Sequence, residues 1–152
     1  SNEYSMDNLI KEAQKRNLDS KRLIFASKLP LLKKHLARYS LGDLGLDTFN
    51  YNGHATTSDA LWSGLPVLTK IGKGFPSRVS ASLLTSVGLP ELITYSEKEY
   101  EEKAFYFAQN RKNLSVVKSK LVELREKSPL FNSELFTRNL EQKFTDLITN
   151  LK

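Results

Sequence analysis

This sequence predicts an α/β fold: part of a doubly wound parallel sheet, followed by long carboxyl-terminal helices. Three observations point there. Short apolar runs of strand type alternate with helical patterns between residues 22 and 94, the order that builds βαβ units and a parallel sheet. Glycines stand where helices should stop, at Gly64 and Gly88. From Ser96 onward only helical spacing remains. Three or four strands are visible and the chain opens on a helix, whereas a complete doubly wound domain has about five or six strands. The pattern therefore reads as the later half of such a domain. One domain over residues 1–152 is expected, with residues 96–152 as its helical extension.

The elements follow in order. Met6, Leu9, Ile10 and Ala13 recur at helical spacing, so residues 6–17 form an amphipathic helix. Arg22–Ala26 (RLIFA) reads as a short buried strand, and Leu31–Tyr39 as a helix whose apolar face is Leu32, Leu36 and Tyr39. A strand over Leu44–Asp47 leads into a polar turn holding Asn52, Gly53 and His54. A helix over 56–63, with Trp62 in the core, and a strand over Pro66–Thr69 come next. The loop Gly72–Gly74 passes through Pro76, whose fixed φ suits a first helical turn, into a helix that Gly88 ends. Leu92–Thr94 adds a short strand.

Beyond it, Ser96 with Glu99 makes a capping box. Tyr100, Ala104, Phe107, Leu114, Val117, Leu121 and Leu124 trace one apolar stripe through residues 97–127, which Ser128-Pro129 breaks. Asn132 or Ser133 caps a last helix with the stripe Phe136, Leu140, Phe144, Leu147 and Leu151.

Composition narrows the class. At 152 residues, 39% hydrophobic and 26% charged, the chain can bury a core of its own. No run approaches the roughly 20 apolar residues of a membrane span, and the amino terminus lacks the apolar centre of a secretory signal. A cytoplasmic location is expected, without membrane contact. The absence of cysteine excludes disulfides, thiolate catalysis and cysteine metal sites. The net charge of +6 is uneven: residues 1–38 carry nine Lys/Arg against four Asp/Glu. Such a basic stretch suits an anionic partner, or is simply a solvated helix face.

The turn at 52–59 carries the chemistry. A polar turn after a parallel strand lies at the carboxyl end of the sheet, where nucleotides bind. The helix that follows offers unpaired amides and the positive end of its dipole to an anion. His54 can donate to a phosphate oxygen while Gly53 lets the backbone approach closely, or it is an ordinary turn histidine. Thr56, Thr57 and Ser58 are also what any helix start prefers. Asp59, inside the first turn, either favours the dipole or accepts from the two hydroxyls of a ribose. His35 and Arg38, three apart on one helix, can cover a nucleobase and bond its edge, or belong to a basic surface. Asp43 and Asp47 flank a strand too far apart for acid–base work on one bond. Lys70, Lys73 and Arg78 surround the loop GKGFPSR, which either approaches a substrate or, the favoured reading, is solvated.

The run YNGHATTSDALWSGLPVLT, preceded by HLARYSLGDLGLDT and followed by SRVSASLLTSVGLPELI, resembles the O-GlcNAc transferase family. These are the protein O-linked N-acetylglucosaminyltransferases, with their bacterial TPR-linked and plant SPINDLY-type relatives. The later SPLFNSELFTRNLE is similar to the family's carboxyl-terminal helix region, so the resemblance covers about residues 22–148. It implies a GT-B architecture, two Rossmann-like lobes with the sugar nucleotide between them, and places this chain in the carboxyl-terminal half of the second lobe. It also implies site roles. His35 lies against the uracil, Arg38 near its edge, His54 with Ala55 and Thr56 at the diphosphate, and Asp59 at the ribose. The expected partners are a UDP-sugar, a protein acceptor, the missing first lobe and TPR repeats; no cofactor and no metal are expected.

This sequence departs from the family at several points. The family's His-Thr-Thr is His54-Ala55-Thr56 here, and its Gly-Glu-Thr-Phe-Ala-Ser-Arg loop is Gly72-Lys73-Gly74-Phe75-Pro76-Ser77-Arg78. A family lysine at the ribose aligns with Leu32 or Lys33. The family's catalytic histidine, and a phosphate-binding Gln and Lys, fall in segments outside this chain.

The leading expectation is the nucleotide-sugar-binding part of an inverting glycosyltransferase, moving GlcNAc or a related sugar from UDP to protein Ser/Thr. Alone, this fragment is expected to be inactive. The alternative is a non-catalytic nucleotide-binding or protein-interaction module of the same descent. A nucleic-acid-binding domain ranks last, because no aromatic residues interleave the basic clusters. The sheet edge left by missing strands is expected to self-associate into a homodimer.

Overall fold

A computed structural model describes residues 2–150. Contacts group the chain into two compact units, Ser1–His35 and Leu36–Lys152. The first unit is built on α1 (Glu3–Lys15), which begins earlier than the apolar spacing predicts because the Asn2 side chain accepts from the Ser5 amide at 2.8 Å. Its end is closed by Asn17 in the left-handed region (φ +57°), a conformation asparagine tolerates, and by the Leu18 amide on the Ala13 carbonyl. A 3₁₀ turn at Ser20–Arg22 follows. The strand expected over Arg22–Ala26 is absent: the segment joins no ladder among the described residues, and Ile24 is 90% exposed. An apolar pentapeptide becomes a strand only by pairing with another strand, and the first unit has none among the described residues.

The second unit holds the sheet. Helix α2 (Leu32–Arg38) runs across the boundary and passes into a 3₁₀ turn at Tyr39–Leu41. Of its expected apolar face, Tyr39 packs against the core while Leu32 is exposed. Three parallel strands then lie side by side in chain order, β1 (Gly45–Leu46), β2 (Val67–Lys70) and β3 (Ile93–Thr94). The registers pair Gly45 with Val67 and Thr69 with Ile93. Val67, Leu68 and Thr69 are all buried, as a central parallel strand covered on both faces requires.

Helix α3 (Ala55–Trp62) crosses from β1 to β2, and α4 (Val79–Val87) from β2 to β3. Gly64 (φ +84°) and Gly88 (φ +88°) close them in the left-handed conformation that the sequence predicts. The core gathers Leu61 from α3, Leu84 and Val87 from α4, Leu92, and Phe107, Leu114 and Leu121 from the helices beyond. This arrangement bears out the partial parallel sheet.

The structure corrects three further expectations. The stripe over 97–127 is not one helix but two, α5 (Glu97–Gln109) and α6 (Arg111–Arg125), separated at Asn110 (φ −114°, ψ 66°). The Asn110 carbonyl accepts from the Asn113 and Leu114 amides and restarts the helix, so each half turns its apolar side to the same core. Trp62 is not core but 46% exposed, edge-on to Phe131 with Arg125 over its ring.

Helix α7 (Ser133–Asn150), capped by the Asn132 side chain as expected, buries none of its residues. Its stripe of Phe136, Leu140, Phe144 and Leu147 is exposed instead of packed on the sheet, and Leu151 lies outside the described residues. The core it was expected to cover is already closed by α3 to α6.

Candidate functional site

In a parallel sheet every loop that follows a strand emerges at the same edge, so segments 47–54 and 71–78 meet there. The meeting is explicit: the Asn52 amide donates to the Pro76 carbonyl at 2.9 Å, and the Ser80 hydroxyl donates to the Gly53 carbonyl at 2.9 Å. Within the first loop the Thr48 hydroxyl bonds the Tyr51 carbonyl, and the buried Asn52 side chain donates to the Thr48 carbonyl at 2.7 Å. The turn is therefore fixed before any ligand arrives.

His54 stands as the residue before α3, and no side chain caps that helix. The hydroxyls expected to cap it have other placements. Thr57 is buried and its hydroxyl lies 2.9 Å from that of Ser80, while Thr56 is exposed. Gly53 sits so close to both that a side chain has no room: a Cβ there would lie 2.7 Å from the Thr56 Oγ1 and nearer still to the Thr57 Oγ1. The His54 ring stacks on Tyr51 (centroids 4.8 Å apart, 15° between planes), meets Phe75 edge-on at 6.2 Å, and its Nε2 lies 3.4 Å from the Pro76 carbonyl. The imidazole is thus held in orientation at the helix's positive end, beside the exposed Ala55 and Thr56.

Asp59 is half-buried on the same helix. Its charge is felt at Tyr39, whose pKa is raised by burial first and then by the Asp59 carboxylate, against the lowering pull of Arg38. Arg38, His54, Ala55, Thr56 and Asp59 all fall in the second unit. His35 lies half-buried on α2 but belongs to the first unit.

The sequence did not reveal what braces this turn. The Asp47 carboxylate accepts from the Gly53 amide at 2.8 Å and from the Thr69 hydroxyl at 2.6 Å. The Tyr100 hydroxyl donates to the Asp47 carbonyl at 3.0 Å, and Phe49 packs edge-on against the Tyr100 ring with Lys70 above it at 4.4 Å. Lys70 also pairs with Glu97 at 3.0 Å, and Asp43 points elsewhere, 3.7 Å from Lys118. An acidic residue at the carboxyl end of a strand, just before a glycine turn, was the one available signal.

Burial, helped by Asp47, pushes the Tyr100 phenol up to about 12. A pKa raised on folding contributes stability that is whole below the unfolded value near 10 and is lost as pH climbs through 12. The stability difference between the wild-type chain and Tyr100→Phe is expected to be constant up to pH 9 and to shrink between about pH 10 and 12. Urea midpoints across that range measure it, and a gap that widens would contradict the assigned environment.

Two grooves lie away from the turn. One of about 850 Å³ runs along β1, α5 and α6, lined by Leu46, Phe107, Arg111, Lys118 and Val122. The other, about 600 Å³, lies beside α4 and β3 and begins at Phe75, the ring that also touches His54. His54, Thr56 and Asp59 line neither groove. Among the described residues no group of three or more His, Cys, Asp or Glu is placed to hold a metal ion, and no helix is long and apolar enough to cross a membrane.

Parallel strands in chain order, joined by crossover helices, define an α/β protein with a partial Rossmann-like parallel sheet. Within that class the chain belongs to glycosyltransferase family 41, whose pattern residues 3–140 match. It is 40% identical over 122 residues to the probable UDP-N-acetylglucosamine–peptide N-acetylglucosaminyltransferase SPINDLY of Solanum lycopersicum, covering 78% of this chain and 13% of that protein. It is 32% identical over 135 residues to the UDP-N-acetylglucosamine–peptide N-acetylglucosaminyltransferase of Caenorhabditis elegans, covering 89% and 12%. A solved structure of a Thermobaculum terrenum O-GlcNAc transferase mutant superposes with a TM-score of 0.85 at 29% identity, over 94% of this chain and 27% of that one. The chain thus spans a small fraction of the curated relatives it matches.

Proposed function

We propose that this chain is the UDP-sugar-holding part of an inverting glycosyltransferase that moves GlcNAc, or a related sugar, onto a protein hydroxyl. The observation that carries the reading is the uncapped start of α3, offered by a fixed turn with His54 before it and Asp59 within it. The diphosphate takes the first-turn amides, the His54 imidazole and the Thr56 hydroxyl. Ala55 contributes an amide and no hydroxyl. The ribose hydroxyls donate to Asp59, and Arg38 bonds the edge of the base. The relatives, named as UDP-N-acetylglucosamine–peptide N-acetylglucosaminyltransferases, support the donor and acceptor classes.

The chemistry asked of these residues is modest and physical. When an acceptor oxygen displaces UDP at the anomeric carbon, negative charge grows on the leaving diphosphate, and preorganised donors stabilise it without reorganising. Rigidity of the turn is what makes those donors effective. The acceptor-side groups and the base that receives the hydroxyl proton are assigned to no residue of this chain, which matches 13% of the tomato relative's length. A cytoplasmic setting agrees with this reading.

Calorimetry with UDP and with uridine separates the two halves of the site. His54→Ala is expected to weaken UDP binding by about 1.5–3 kcal/mol, the worth of a hydrogen bond to a charged group, while leaving uridine unchanged. Asp59→Ala is expected to weaken both ligands by a similar amount. Equal UDP affinity in all three proteins would remove the assignment.

A further inference from the structure

Resting on that reading of the turn, we propose that Asp47 is a positioning residue for the diphosphate: its carboxylate sets the shape of the anion-facing turn without touching the ligand. Both of its oxygens are committed to the fold. One accepts the Gly53 amide at 2.8 Å and the other the Thr69 hydroxyl at 2.6 Å, so the end of β1 is tied at once to the central strand and to the turn. Thr69 is fully buried, and its carbonyl accepts from the Thr94 hydroxyl at 2.9 Å, which anchors that second donor to β3. The Asp47 main chain is held separately, by the Tyr100 hydroxyl on its carbonyl.

Two consequences follow for binding. The Gly53 amide is turned inward to Asp47, so it is withdrawn from the set of donors that meet an anion. The anion is left to the amides at the start of α3 and to His54. The carboxylate also fixes the plane of the Asn52–Gly53 peptide, and Ser80 holds the next one through the Gly53 carbonyl, so together they set the direction in which the imidazole and the following amides point. An acidic group beside a phosphate site is ordinarily a repulsive choice. Here its charge is met by two short hydrogen bonds, and its gain is the rigidity that preorganised anion binding needs.

The ligand most sensitive to Asp47 is therefore one with phosphates. Titration of the complete 152-residue chain with UDP and with uridine, followed by NMR, tests this in the wild type and in Asp47→Ala, Asp47→Asn and Thr69→Val. Asp47→Ala is expected to weaken UDP about tenfold or more, and Thr69→Val by a smaller factor, with uridine affinity unchanged in both. Asp47→Asn keeps an acceptor for the Gly53 amide and is expected to restore UDP binding to within about threefold of wild type.

Should Asp47→Ala fail to fold, Thr69→Val and Asp47→Asn still decide the matter through the same UDP-to-uridine ratio. Parallel losses for UDP and uridine, or no loss in either Asp47→Ala or Thr69→Val, would overturn the positioning role. Failure of the wild-type chain to bind UDP at all would instead overturn the nucleotide reading on which it rests.

Discussion

Gly53→Ala is expected to abolish measurable UDP binding and to cost about 1–3 kcal/mol of folding stability, the range for forcing extra volume into a packed site. The reason is local. The new Cβ would lie 2.7 Å from the Thr56 Oγ1, nearer still to the Thr57 Oγ1, and 3.3 Å from the Thr57 amide nitrogen. Thr57 cannot simply rotate away. It is buried, its hydroxyl bonds that of Ser80, and Ser80 in turn donates to the Gly53 carbonyl. Relief therefore has to come from the backbone of residues 53–57, the segment proposed to face the diphosphate.

Gly74→Ala is the matched control, because its nearest contact would be the Pro76 Cδ at an ordinary 3.8 Å. Urea midpoints and a UDP titration on both variants give the comparison. Wild-type affinity in Gly53→Ala would show that the turn is soft and that its shape does not govern binding.

Leu61→Ala is expected to cost about 2–5 kcal/mol, the usual penalty for emptying a fully buried leucine site. Leu61 has no exposed surface and joins α3 to the cluster that holds α4, α5 and α6. Its neighbour Trp62 is half-exposed, so Trp62→Ala is expected to cost less despite removing more atoms. Chemical denaturation reports both costs. Leu61 contributes nothing to the turn itself, so folded Leu61→Ala protein retains its UDP affinity. A loss below about 1 kcal/mol for Leu61→Ala would mean that α3 is not seated on the core.

These residues also show where sequence reasoning succeeds. The alternation around β2, the glycine stops at Gly64 and Gly88 and the polar turn at 52–54 are local signals, each carried by a few neighbouring residues and each realised in the fold. The Ser96 cap is another: its hydroxyl accepts from the Glu99 amide at 3.1 Å, although the Glu99 carboxylate reaches back to the Tyr95 amide and not to Ser96.

What was not legible depended on partners distant in the chain. RLIFA has strand composition but no strand to pair with inside its own unit among the described residues. The stripe over 97–127 is continuous in sequence, while the break at Asn110 arises because both halves must return to one core. The apolar face of α7 looks like core-forming sequence because amphipathicity shows that a surface can be buried, never against what. Asp47 was the costliest omission. Its partners are Gly53 and Thr69, six and 22 positions away, and only the sheet brings the latter alongside.

The measurement that bears most directly on the proposed site is a UDP titration of the isotope-labelled chain, with every backbone amide followed by NMR. Saturable shifts are expected at residues 53–59, strongest at the His54, Ala55 and Thr56 amides, with an accompanying response near Arg38. Saturable shifts confined to the groove along β1, α5 and α6, with residues 53–59 silent, would contradict the assignment of this turn as the nucleotide site.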